Sequence, residues 1–164
     1  MANHKGGHFG KILDIDLTSG NISTKEYDAE LARKFLGGTG LATYYLYKEV
    51  PKGTDPMSPE NLLIFSSGPL CGTECPGARL SVNFKSPVSG GLGNSYVGGG
   101  FTSDLKWAGW DMIILRGKAP KLSYIYIKDD QVEILDAAAM AGKDTYETEE
   151  MIKEEIGDPD AKCL

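Results

Sequence analysis

Two glycine groups, Gly90-Gly91-Leu92-Gly93 and Gly98-Gly99-Gly100, bracket Asn94, Ser95, Tyr96 and Val97, and the second stands directly before the segment that begins at Phe101. Anion binding is the chemistry such a pattern can perform. Main chain without Cβ atoms can approach a ligand, and successive amides can point at it. A helix starting at Phe101 would add its positive end. Arg79, one strand away, offers a planar fork of donors to a phosphate or a fused heterocycle. The competing reading is a long flexible surface loop. Such a loop has no need of two dense glycine groups separated by amphipathic residues, so the pattern favours cofactor binding.

Other residue groups carry less. Gly37-Gly38-Thr39-Gly40 lies between two helical segments and is expected to be an interhelical turn. No strand precedes it and no Lys-Ser/Thr pair follows, so neither a flavin nor a nucleotide fingerprint is present. Cys71 and Cys75 are spaced C-x3-C, but a cluster takes four thiolates and the chain has 3 cysteines, the last being Cys163. They are expected to be ordinary reduced thiols. His4 and His8 read as flexible surface residues of a polar leader. Glu74, Asp104 and Asp111 cannot be paired from spacing, and no catalytic role is assigned to them. Trp107 and Trp110 flank Gly109 and are expected in the core beneath the loops.

The elements that must hold these groups follow from periodicity. Phe9 to Leu17 and Ile22 to Tyr27 alternate apolar and polar residues across Thr18-Ser19-Gly20-Asn21, which predicts a hairpin. Helices are expected over Ala29 to Leu36, capped by Asp28, and over Leu41 to Val50. After a loop at Lys52 to Asn61 come a strand at Leu62 to Ser66, a strand at Arg79 to Lys85 with Val82 and Phe84 on one face, and a short helix at Phe101 to Ala108. Met112 to Arg116 reads as a buried strand, and Leu122 to Ile127 with Gln131 to Leu135 as a second hairpin. An amphipathic helix is expected at Thr145 to Ile156, and Ala161 to Leu164 reads as the start of another strand.

Composition bounds the function. The 164 residues are one domain's worth, and 41% hydrophobic residues suffice for a core. Glycine is the outlier, with 9 of the 21 falling between Gly68 and Gly100. A net charge of -6 supplies no basic stripe, which excludes nucleic acid and an anionic membrane surface as partners. No apolar run reaches the length of a membrane span and no secretory segment opens the chain, so a cytoplasmic protein is expected.

Taken in order, FGKILDIDLTSG, ELARKFLGGTGLA, DPMSPENLLIFSSGPLCGT, ARLSVNFKSPVSGGLGNS and GGGFTSDLKWAGWDMIILRGKA closely resemble the aldehyde ferredoxin oxidoreductase family, in register over nearly the whole chain. The resemblance implies an α+β fold, with helices packed on a mixed or antiparallel sheet. It would be the first half of a saddle-like N-terminal domain that binds tungstopterin, here residues 1–164. It implies an oxidoreductase of anaerobic metabolism that converts aldehydes to carboxylic acids at tungsten or molybdenum held by two pterins. A [4Fe-4S] cluster would pass the electrons to ferredoxin.

Position by position, Arg79 matches an arginine that contacts the pterin, and Gly98 matches a glycine whose main chain lies against it. Gly99, Asn94, Ser95 and Tyr96 complete the cofactor-binding set. The family has an asparagine where this chain has Tyr96, and that asparagine helps hold a magnesium ion bridging two phosphates. Either Asn94 or Ser95 takes over the magnesium contact by a small shift of the loop, or the tyrosine marks a subfamily. The resemblance places the second pterin loop, the cluster cysteines and the active-site acid and base beyond residue 164. None of the three cysteines here matches a cluster ligand. The chain is therefore expected to need the remainder of the enzyme, on the same or a second polypeptide, and to be inactive alone. The rival expectation is a degenerate family member that acts as an interaction module without cofactor and self-associates through an open sheet edge.

Overall fold

A computed structural model describes residues 6–76 and 79–164. Among the described residues there are eight strands and four α-helices. β1 (Lys11–Asp16) and β2 (Asn21–Glu26) are followed by α1 (Ala29–Phe35) and α2 (Gly38–Glu49). Then come β3 (Leu63–Ser67), β4 (Leu80–Lys85), β5 (Leu92–Val97), α3 (Phe101–Trp107), β6 (Met112–Arg116), β7 (Ser123–Lys128), β8 (Gln131–Asp136) and α4 (Thr145–Ile156). Six strands make one mixed sheet in the order β2-β1-β6-β3-β4-β5, and β7-β8 form a separate two-stranded sheet. The α+β class expected from the resemblance is the class observed.

β1 reads as alternating, yet four consecutive residues, Ile12 to Ile15, are buried. The reason is its place in the sheet: it pairs antiparallel with β2 and parallel with β6, and both of its faces are covered. One face carries α1 and α2 over Ile12, Leu41, Ala42, Leu46, Ile64, Met112 and Ile114. The other carries α3 and the β7-β8 hairpin over Leu13, Ile15, Leu80, Leu105, Trp110 and Ile113. Burial of the side chain of Tyr45, a residue of α2, pushes its pKa up to about 12.

The helix ends follow their local chemistry. Asp28 caps α1 by accepting from the Leu31 amide at 2.7 Å. Asp144 and Glu147 form a reciprocal capping box on α4, and Gly157 closes it in the left-handed region at φ 69°.

Two charged networks tie the layers together. Asp111 Oδ2 accepts from the amides of Phe9 (2.8 Å) and Gly10 (2.7 Å) and from the Tyr27 hydroxyl (2.8 Å), while its Oδ1 pairs with Lys106. Lys106 also donates to the Gly7 carbonyl at 2.6 Å. Burial, and next the nearby Asp111 charge, push the Tyr27 hydroxyl above its ordinary value. In the second network Arg116 forks onto both Asp14 oxygens at 2.8 and 2.5 Å and reaches Glu49 at 2.8 Å, with Lys25 2.8 Å from Asp14. Burial works against the Asp14 charge, but the hydrogen bonds from Arg116 and Lys25 outweigh it and hold the carboxyl below its ordinary value.

Several expectations are corrected here. Leu92 to Val97 is not loop but edge strand β5, paired residue by residue with β4. Gly38, Thr39 and Gly40 are not an interhelical turn but the first turn of α2, with Gly37 as its N-cap. His8 is not free surface, because its Nδ1 sits 2.9 Å from the Tyr27 hydroxyl, whereas His4 lies outside the described residues. Trp110 is core, 3% exposed and bonded to the Asp129 carbonyl, but Trp107 is 69% exposed with its Nε1 donating to the Gly72 carbonyl. Ala161 to Leu164 form no strand.

Candidate functional site

Gly98 to Gly100 and Arg79 meet at one end of the outer edge of the sheet, whereas Gly90 to Gly93 lie at the opposite end of β5, beside Lys85, and are not brought to Arg79. Side chains alternate across a strand, and the pairs Ser81↔Tyr96 and Asn83↔Asn94 place all four of these side chains on the face that carries α2. Ser95, opposite Val82, falls on the other face, so its side chain does not join Asn94 and Tyr96. Arg79 stands just before β4 and Gly98 just after β5. A Cβ built on Gly98 would lie 3.6 Å from Arg79 Nη1 and 4.0 Å from Cζ. The guanidinium therefore lies beside the glycine.

Arg79 is exposed, and among the described residues its guanidinium has neither a carboxylate nor a hydrogen-bond partner. Below it the buried Cys71 thiol donates to the Arg79 carbonyl at 3.6 Å. Gly99 holds φ +96° and a Cβ there would meet nothing within 4 Å, so its main chain is bare. Gly100 differs, since a Cβ there would meet the stem of Lys162 at 3.2 Å. The lysine brings a cation to this end of the edge. α3 spans only 7 residues, and its contribution as a dipole is smaller than expected.

Thr39 completes the arrangement from the side of α2. Its Oγ1 accepts from Asn94 Nδ2 at 2.7 Å and lies 3.1 Å from the Tyr96 hydroxyl. Asn94 Nδ2 also donates to Asn83 Oδ1 at 3.0 Å. Asn83 Nδ2 donates to Ser81 Oγ at 3.0 Å, and Ser81 Oγ donates to the Ser66 carbonyl at 3.1 Å. A polar track thus runs from the exposed edge into the core, where Asn83 and Ser66 are fully buried. Sequence reasoning missed Thr39, Asn83 and Lys162. Thr39 contacts residues 55 and 57 positions away, for which no local signal exists.

An exposed, unpaired guanidinium beside bare glycine main chain fits an anion, a phosphate above all, because both supply donors and neither meets a competing carboxylate. The glycine edge is open rather than enclosed. The largest cavity described, about 660 Å³, lies on the opposite face between the sheet, the β7-β8 hairpin and the last residues, lined by Phe65, Phe101, Ile125, Ile152 and Leu164. Among the described residues no group of three or more His, Cys, Asp or Glu side chains could hold a metal ion.

The fold is an α+β domain whose mixed sheet is covered on both faces. Residues 12–164 match the family described as aldehyde ferredoxin oxidoreductase, N-terminal domain, and the chain belongs to that family. It is 47% identical to the tungsten-containing aldehyde ferredoxin oxidoreductase of Pyrococcus furiosus over 95% of this chain and 26% of that protein. It is 42% identical to the aliphatic sulfonate oxidoreductase WOR-like subunit of the same organism, over 85% of this chain and 23% of the relative. Among solved structures, the active-site complex BamBC of benzoyl coenzyme A reductase, in complex with 1,5-dienoyl-CoA, matches with a TM-score of 0.92 at 42% identity. That match covers 96% of this chain and 24% of the other. The chain thus spans about a quarter of the length of the relatives it matches.

Proposed function

We propose that this chain is the tungstopterin-binding N-terminal domain, in its first half, of an aldehyde ferredoxin oxidoreductase-type enzyme. The observation that carries the reading is the Arg79 guanidinium lying beside Gly98 with no partner among the described residues. Arg79 would hold a phosphate or pterin oxygen through its fork of donors, and the main chain of Gly98 and Gly99 would lie against the same group. Asn94 and Tyr96 would bound the site on the α2 face, with Ser95 contributing through its main chain. Tyr96, whose hydroxyl is engaged with Thr39, is a poor substitute for an amide ligand. A magnesium ion on the phosphates would instead take Asn94 Oδ1 from this chain.

The tungsten or molybdenum pterin supplies the redox chemistry, an aldehyde becoming a carboxylic acid, while this chain binds and orients. The [4Fe-4S] cluster, the catalytic acid and base, and the contact with ferredoxin belong to the remainder of the enzyme, without which the chain is inactive. The protein would work in the cytoplasm, in keeping with a described chain in which no helix is long and apolar enough to cross a membrane. The test is to purify the chain with the polypeptide that completes it and assay tungsten, molybdenum and pterin. An assembled complex containing none of these defeats the proposal.

A second reading, an interaction module without cofactor, is favoured by the open β5 edge and the two-stranded β7-β8 sheet over a large apolar cavity. Light scattering on the eluted protein separates the two, since the module should form self-paired oligomers whatever its metal content.

A further inference from the structure

The polar track beneath the glycine edge has no explanation in stability. Asn83 and Ser81 on β4 and Ser66 on β3 sit at buried positions of two neighbouring strands, aligned with each other and with β5 through the pairs Ser66↔Ser81 and Ser81↔Tyr96, under the first turn of α2. Apolar residues of similar size there would cost nothing in desolvation and would stabilise the fold as well or better. Ser66 Oγ even lacks a partner among the described residues. What the track does accomplish is geometric. It hands a fixed orientation from Ser81 to Asn83 to Asn94, and Thr39 locks Asn94 and Tyr96 together from α2. A hydrogen-bonded chain of this kind, from Ser81 through Asn83 to Asn94 and Thr39, specifies one arrangement of those side chains.

We infer that Thr39 is the positioning residue of the anion site. Its hydroxyl pins Asn94 and Tyr96 against α2 so that the strip beside Arg79 and Gly98 stays open and pre-shaped for a phosphate-bearing ligand. Without the hydroxyl, the Tyr96 ring, 60% exposed, is free to swing over the neighbouring glycines. The ligand then has to displace it before binding, which weakens affinity without changing any group that touches the ligand. This inference rests on the cofactor-site reading above and deepens it.

Inorganic pyrophosphate is the probe, titrated into the 164-residue chain while the amide resonances of Gly98 and Gly99 are followed by NMR. The wild type should show saturable shifts that Arg79→Ala abolishes. Thr39→Val should weaken pyrophosphate about tenfold, the worth of one well-placed hydrogen bond, and Thr39→Ser should restore it. Tyr96→Phe, which removes one bond of the lock and leaves the fold's other contacts intact, should weaken it about threefold and decides the matter if Thr39→Val does not fold. If Arg79→Ala loses the anion while Thr39→Val and Tyr96→Phe bind as the wild type does, Thr39 is merely structural and the inference falls alone. If pyrophosphate leaves Gly98 and Gly99 unmoved in the wild type, the site reading falls and takes the inference with it.

Discussion

Asp111 and Arg79 carry opposite charges at opposite ends of the sheet's logic. Asp111 is 2% exposed, and all of its bonding capacity is met by two main-chain amides, a tyrosine and a lysine. Arg79 is exposed, and among the described residues its guanidinium has no carboxylate or hydrogen-bond partner. The first arrangement spends a charge on holding the N-terminal segment, α3 and β6 in place, and the second leaves a charge in reserve. Water satisfies an exposed guanidinium at no cost to the fold, so the charge at Arg79 stays available to a ligand, and the contrast separates scaffold from candidate site.

The comparison breaks most visibly at Asp111. Asp111→Ala strands the buried Lys106 ammonium, and urea unfolding should show a loss of about 3–5 kcal/mol. Gly93→Ala, next to the edge, should cost about 1–3 kcal/mol through overpacking. The added methyl would stand 2.5 Å from the Phe84 ring, and the damage should appear as a lower urea midpoint with an unchanged slope. Smaller still is the acid effect at Asp14. Its folded carboxyl titrates below its unfolded value, so its stabilisation is complete above the ordinary carboxylate range and is lost as pH falls through the folded value. The urea midpoints of wild type and Asp14→Asn should therefore differ at pH 6 and converge in strong acid. Arg79→Ala should lie within about 0.5 kcal/mol of wild type in the same assay. A large loss there would mean that the guanidinium is scaffold after all, and the contrast with Asp111 would vanish.

Legibility in the sequence followed the same division. The β1-β2 hairpin, α1 and α4 were readable because their signals are local: alternation around Gly20, Asp28 as a cap, and the amphipathic period of Thr145 to Ile156. β5 was not, because Gly93, Asn94 and Ser95 are poor strand formers and the segment is extended only because β4 offers it a ladder. Arg79 and Gly98 could be placed together in advance, because Arg79 stood one strand away from the glycine segment and because of the family resemblance. The pleat that turns Ser95 away from Asn94 and Tyr96 needed the register, which glycine-rich sequence does not reveal. Lys106 and Asp111 are five apart, on a helix and the strand after it, a spacing that no helical rule pairs.

The parallel pairing of β1 with β6 carries a consequence for how the chain is made. Ile12 finds its partner only at Met112, and β3 waits on the far side of that same strand. During synthesis the N-terminal hairpin must therefore remain without its central neighbour until α3 and β6 have left the ribosome. Contacts so distant along the chain slow the closing step. A nascent chain exposed outside the ribosome only as far as residue 111 should stay open to proteases, while one exposed to a few residues past Arg116 should become markedly more resistant.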